Sequence, residues 1–87
     1  MQLKIHGTLL SPWVRRLVAF IEEKQLDYEI VTVIPLGDPD PDFLKISPLG
    51  KVPVLEINGR FLPDSFAACT LLESEVPSPS LFLDTGW

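Results

Sequence analysis

The chain has 87 residues, 46% of them hydrophobic, which suits one domain with a single core. Its net charge of −5 argues against sequence-independent nucleic-acid binding, which needs a basic surface. One cysteine, Cys69, excludes an intrachain disulfide.

Leu3 and Ile5 alternate with Lys4 and His6, the period of a half-buried strand. The opening Met1 to His6 lacks the long apolar region and cleavage site of a signal peptide. With no apolar run long enough to cross a bilayer, no membrane association is expected, and the chain reads as a soluble cytoplasmic domain. His6 is the sole histidine and has no cysteine at ligand spacing, so no metal site is expected.

Ser11-Pro12-Trp13-Val14-Arg15-Arg16 marks a helix opening. Pro12 fits the first helical position, where its missing N–H costs nothing and its fixed φ is already helical. Ser11 then falls at the N-cap, its hydroxyl able to meet a free N–H of the first turn. A helix opening is a positive dipole end with unsatisfied donors and suits an anion, although Ser11 taken alone reads only as a cap.

From Pro12 to Gln25 the spacing is helical, with Val14, Leu17, Val18 and Ile21 forming one core stripe that Trp13 and Phe20 widen. Arg15 and Arg16 in the first turn, and Glu22 and Glu23 in the last, oppose the macrodipole. The two arginines are either a slightly frustrated solvated face or a positive lure for an anionic ligand.

Tyr28 to Ile34 is β-branched and reads as a buried strand, completing a βαβ unit with a right-handed crossover. Across Pro35 to Asp42, three prolines and a glycine exclude regular structure. The spaced aspartates there resemble the start of a calcium loop. Phe43 and Leu49 stand where that loop needs glycine and glutamate, so a plain acidic loop is expected. Phe43, Leu44 and Ile46 suggest one short helix.

Ser47-Pro48-Leu49-Gly50-Lys51 is a turn, and Val52 to Ile57 a strand whose Pro53 demands an edge, a bulge or a cis bond. Asn58-Gly59 is a strong hairpin signal, with Arg60-Phe61-Leu62 as the return strand. Pro63-Asp64-Ser65 opens a last helix, in which Cys69 lies among apolar neighbours as a buried structural thiol. Pro77-Ser78-Pro79-Ser80 breaks that helix. The order β-α-β-(short α)-β-β-α predicts an α/β fold, a four-stranded mixed sheet flanked by helices, over residues 1–76. Residues 77–87 read as a linker heading for something that is not in this chain.

Three of these segments together resemble the N-terminal, thioredoxin-like domain of cytosolic glutathione transferases, over essentially the whole chain. Ser11 to Arg16 is similar to the active-site segment of the serine-type classes and their bacterial relatives. Ser47 to Leu55 is similar to the stretch ending in a Val–cis-Pro pair, and Asp64 to Glu73 to the acidic-Ser helix opening.

The resemblance implies glutathione as co-substrate, a small electrophile as second substrate, no metal, and homodimers among full-length members, with this chain alone a candidate monomer. It further implies that Ser11 is catalytic, donating a hydrogen bond to the glutathione sulfur. Val52, extended by Pro53, would offer its main-chain N–H and C=O to the cysteinyl unit. Asp64 would meet the γ-glutamyl ammonium and Ser65 its carboxylate, with Lys51 or Lys45 reaching the glycyl carboxylate.

Two other readings stand beside it. One is a non-catalytic interaction or folding module that keeps the glutathione pocket. The other is a glutaredoxin-like thiol oxidoreductase, which would need a cysteine where Ser11 stands.

Overall fold

The computed structural model describes residues 2–34 and 40–77. Its elements are β1 (Leu3–Gly7), α1 (Pro12–Glu23), β2 (Glu29–Thr32), α2 (Pro41–Ile46), β3 (Val54–Ile57), β4 (Arg60–Leu62) and α3 (Ser65–Glu75). The strands form one mixed sheet in the order β2-β1-β3-β4, with β1 parallel to β2 and antiparallel to β3, and β4 antiparallel to β3. This is the predicted α/β architecture.

Strand alternation divides the sheet into two faces. Leu3 and Ile5 of β1 and Leu55 and Ile57 of β3 join Val14, Leu17 and Ile21 of α1 and Ala68, Cys69 and Leu72 of α3 in one buried cluster. The alternate residues Lys4, His6 and Glu56 lie on the other face, where the His6 ring meets Glu56 at 2.9 Å and packs beside Phe61. The hairpin turns through Asn58 (φ 50°) and Gly59 (φ 86°), both left-handed, as a two-residue primed turn requires.

Several local expectations are corrected. Helix α1 ends at Glu23, two residues early, because Gln25 takes a left-handed φ of 60°. The Gln25 N–H then bonds the Glu22 carbonyl and the Leu26 N–H the Ile21 carbonyl, a Schellman stop with glutamine where glycine is usual.

Trp13 does not widen the core. It is 53% exposed, with the Arg16 guanidinium 5.0 Å over its ring. Strand β2 is shorter than Tyr28–Ile34 and only half-buried, because it is an edge strand beside β1. Pro41 and Asp42 belong to α2 rather than to the acidic loop: Asp40 caps that helix and Pro41 occupies its first position, where a proline disrupts nothing. The rest of that loop, residues 35–39, and residues 78–87 of the expected linker lie outside the described residues.

A buried lysine had no sequence signal. Lys24 is fully enclosed at the end of α1, its ammonium 2.8 Å from Glu73 and 2.6 Å from the Val76 carbonyl. It ties the C-terminal ends of α1 and α3 together.

Candidate functional site

Strand register decides which segments meet. β1 and β3 pair His6 with Val54, which sets Thr8 level with Val52. β3 and β4 pair Leu55 with Leu62, which sets Pro53 level with Asp64. The segments leading to Ser11, to Val52-Pro53 and to Asp64-Ser65 therefore all lie at one end of the sheet. The three strands that feed these segments are neighbours, β1 beside β3 and β3 beside β4.

Gly7 is the junction. A Cβ at this position would lie 2.6 Å from Val14 Cγ2 and 3.4 Å from Val52 Cβ. Only glycine lets the end of β1, the first turn of α1 and Val52 approach this closely.

The loop from β1 to α1 is wired by its own polar groups. The Ser11 N–H donates to the Thr8 carbonyl at 3.0 Å, and the Leu10 N–H to Thr8 Oγ1 at 3.3 Å. Ser11 has the extended backbone of an N-cap (φ −85°, ψ 128°), and its Oγ accepts the Val14 N–H at 3.4 Å. That bond uses a lone pair and leaves the hydroxyl proton uncommitted among the described residues. Capping and donation are thus compatible roles for Ser11.

Arg15 resolves its own misplacement against the helix dipole: one guanidinium nitrogen donates to the carbonyls of Leu9 (2.8 Å) and Leu10 (3.2 Å). Arg16 instead covers Trp13.

The second segment is built by Ser47, which the sequence suggested only as part of a turn. Ser47 is 1% exposed. Its hydroxyl donates to the Lys51 carbonyl at 2.8 Å and accepts the Lys51 N–H at 3.1 Å, while Gly50, at φ 68°, donates its N–H to the Ser47 carbonyl. This small ring delivers the chain to Val52 and the buried Pro53, whose peptide bond is cis. Val52 lies outside β3, just before the ladder begins at Val54.

At the third segment Asp64 caps α3, Oδ1 accepting the Ala67 N–H at 2.9 Å. Its other carboxylate oxygen has no hydrogen-bond partner among the described residues, and the N–H of Ser65, first residue of α3, has no intrahelical acceptor. Lys51 is exposed next to Val52, and Lys45 stands 3.4 Å from Asp42 on the surface of α2. The end of the sheet therefore presents two helix openings, the Ser11 hydroxyl, the Asp64 carboxylate and the Val52 main chain, a mixed set of hydrogen-bond donors and acceptors. Among the described residues, no group of His, Cys, Asp and Glu is placed to hold a metal ion.

Cys69 is apart from all this, buried in α3, where desolvation raises its thiol pKa against a weaker lowering by Arg16. A cysteine held protonated in the core is a packing residue.

The model of the glutathione S-transferase N-terminal domain matches residues 10–75. The chain belongs to that family. Glutathione S-transferase DHAR2 of Arabidopsis thaliana is 41% identical over 70 residues, 80% of this chain and 32% of the relative. Glutathione S-transferase 3 of Zea mays is 38% identical over 78 residues, 87% of this chain and 35% of the relative. The crystal structure of a glutathione S-transferase from Rhodospirillum rubrum F11 superposes with a TM-score of 0.85 at 36% identity, over 93% of this chain and 37% of that one. The chain thus spans about a third of the length of the transferases it matches. The family expectation drawn from the three motifs holds, and the matched region contains all three.

Proposed function

We propose that this glutathione S-transferase domain binds glutathione at the end of the sheet described above and holds its thiol as the thiolate for attack on a small electrophile. What supports the reading is the strand register, which brings the segments leading to Ser11, to Val52-Pro53 and to Asp64-Ser65 to one end of the sheet. In this reading Val52 pairs with the cysteinyl main chain, Asp64 takes the γ-glutamyl ammonium, and Ser65 holds the adjoining carboxylate at the opening of α3. Pro53 keeps the Val52 segment extended. Lys51, beside Val52, is the nearer of the two lysines in sequence to take the glycyl carboxylate.

Ser11 acts as donor rather than base. A thiol at the ordinary value of ~8.5 is only a few per cent thiolate at neutral pH. Lowering it by about two units requires roughly 2.7 kcal/mol of preference for the anion. A charge-assisted hydrogen bond at roughly 1.5–3 kcal/mol, with a helix dipole at about 0.3–1, supplies that. The thiol proton leaves to solvent, and the sulfur lone pair forms the C–S bond as the leaving group departs.

The exposed Leu10 and Trp13 flank Ser11 and give the electrophile an apolar approach. We place the domain in the cytoplasm, as for the relative from Oryza sativa named cytosolic. Residues 1–76 form the glutathione domain, and residues 77–87 lead toward the helical domain of a dimeric full-length transferase.

Glutathione titration followed by NMR, with conjugation to a chloronitrobenzene on the same sample, tests the proposal. Shifts at Ser11, Val52 and Ser65 together with turnover are expected. Binding without turnover would turn the reading into a non-catalytic glutathione module, and absence of binding would end it.

A further inference from the structure

We infer that Arg15 is a positioning residue for Ser11, a strut that holds the β1–α1 loop so that the serine hydroxyl stays aimed at the ligand's sulfur. The inference deepens the proposed function and rests on glutathione being the ligand. It starts from an imbalance in how the two sides of Ser11 are held.

On the helix side the frame is rigid, because Val14, Leu17 and Ile21 are completely buried. On the loop side Leu9 and Leu10 are 52% and 79% exposed, so packing fixes neither of them. The cap bond from Val14 to Ser11 Oγ is 3.4 Å, at the long limit of a hydrogen bond, and holds the hydroxyl only loosely.

Arg15 closes that gap. Its main-chain N–H holds the Ser11 carbonyl at 3.0 Å, and its guanidinium reaches back over the loop to the Leu9 and Leu10 carbonyls. One residue of the rigid helix therefore grips three consecutive carbonyls of the segment ending at Ser11. The same contacts set the Leu9 and Leu10 oxygens against a cation.

Arg16 is the internal control. It has the same charge and lies in the same helical turn, yet its guanidinium covers the Trp13 ring and, among the described residues, bonds no loop carbonyl. A long-range electrostatic lure would need both arginines about equally. A strut needs only Arg15.

The test compares Arg15→Met with Arg16→Met in the 87-residue chain. Without ligand, hydrogen exchange of the Ser11 amide, which is bonded to Thr8, is expected to quicken about tenfold in Arg15→Met and to stay within about twofold in Arg16→Met. With glutathione, the pH titration of thiolate absorbance is expected to show the bound thiol pKa raised by about one unit in Arg15→Met, a tenfold loss of thiolate below both values. Affinity for S-methylglutathione, which has no thiol, is expected to stay within about twofold.

Unchanged Ser11 exchange in Arg15→Met would overturn the strut, as would equal thiol shifts in the two variants. Loss of S-methylglutathione binding in Arg15→Met alone would also overturn it, by showing a general structural role. If the unmutated chain binds no glutathione, the proposed function fails while the exchange comparison still decides the strut.

Discussion

Ser11 carries two roles in this reading, and a pair of substitutions separates them. Ser11→Ala removes both the cap acceptor and the hydroxyl donor. The cap bond is long, 3.4 Å, so its loss sits at the low end of the capping range, about 0.5–1 kcal/mol. For a domain of this size that is a fall in Tm of about 3–6 °C. Loss of a donor to the sulfur anion, at roughly 1.5–3 kcal/mol, raises the bound thiol pKa by about one to two units. Ser11→Asp keeps a good N-cap but replaces the donor with a carboxylate. Its Tm should stay at or above that of the unmutated chain, while the thiol pKa rises at least as far as in the alanine variant. Thermal unfolding by circular dichroism and thiolate absorbance against pH measure the two quantities on the same samples. If Ser11→Asp keeps the lowered thiol pKa, the hydroxyl is not the donor and the assignment of Ser11 is refuted.

Ser47→Ala deletes two hydrogen bonds to Lys51 at a site 1% exposed, for a loss of about 2–3 kcal/mol in urea unfolding and a weaker glutathione affinity. A loss under about 0.5 kcal/mol would mean the ring it forms is not holding the Val52 segment. Gln25→Gly relieves the left-handed φ of 60° and should raise stability by up to about 1 kcal/mol, read from the urea midpoint. The Tyr28 hydroxyl donates to Glu22 at 2.6 Å, and that bond chiefly raises its pKa above 10. A raised folded-state pKa contributes stability that is fully present below the unfolded value, near 10, and is lost as pH rises through the folded one. The Tm difference between the unmutated chain and Tyr28→Phe should accordingly be visible at neutral pH and close in strong alkali; a difference that persists there would point to packing instead.

What was legible in the sequence was local and carried by backbone chemistry. Pro12 after Ser11, Asn58 before Gly59, and Asp64 before Ser65 each specify a conformation from one or two residues, and all three lie where expected. Pro53 narrowed its own environment to three options, of which the cis bond is the one present.

Trp13 was misplaced because helical periodicity identifies a stripe but not how far neighbouring elements reach across it. Strand β2 looked buried because β-branched composition does not distinguish a central strand from an edge. Lys24 was silent because its partner Val76 is 52 positions away. Ser47 and Gln25 act locally, through a ring to Lys51 and a left-handed φ, but neither residue type signals that role by itself. The end of helix α1 was missed for want of a glycine.

Gly7 has a consequence for the thermodynamics of any ligand at this end of the sheet. With no room for a methyl group on Gly7 beside Val14 and Val52, the end of β1 packs directly against both limbs of the site. In the proposed reading, a ligand engaging Val52 would meet the opening of α1 already in register. The ordering cost of binding would then fall mainly on the flexible tripeptide and little of it on the protein.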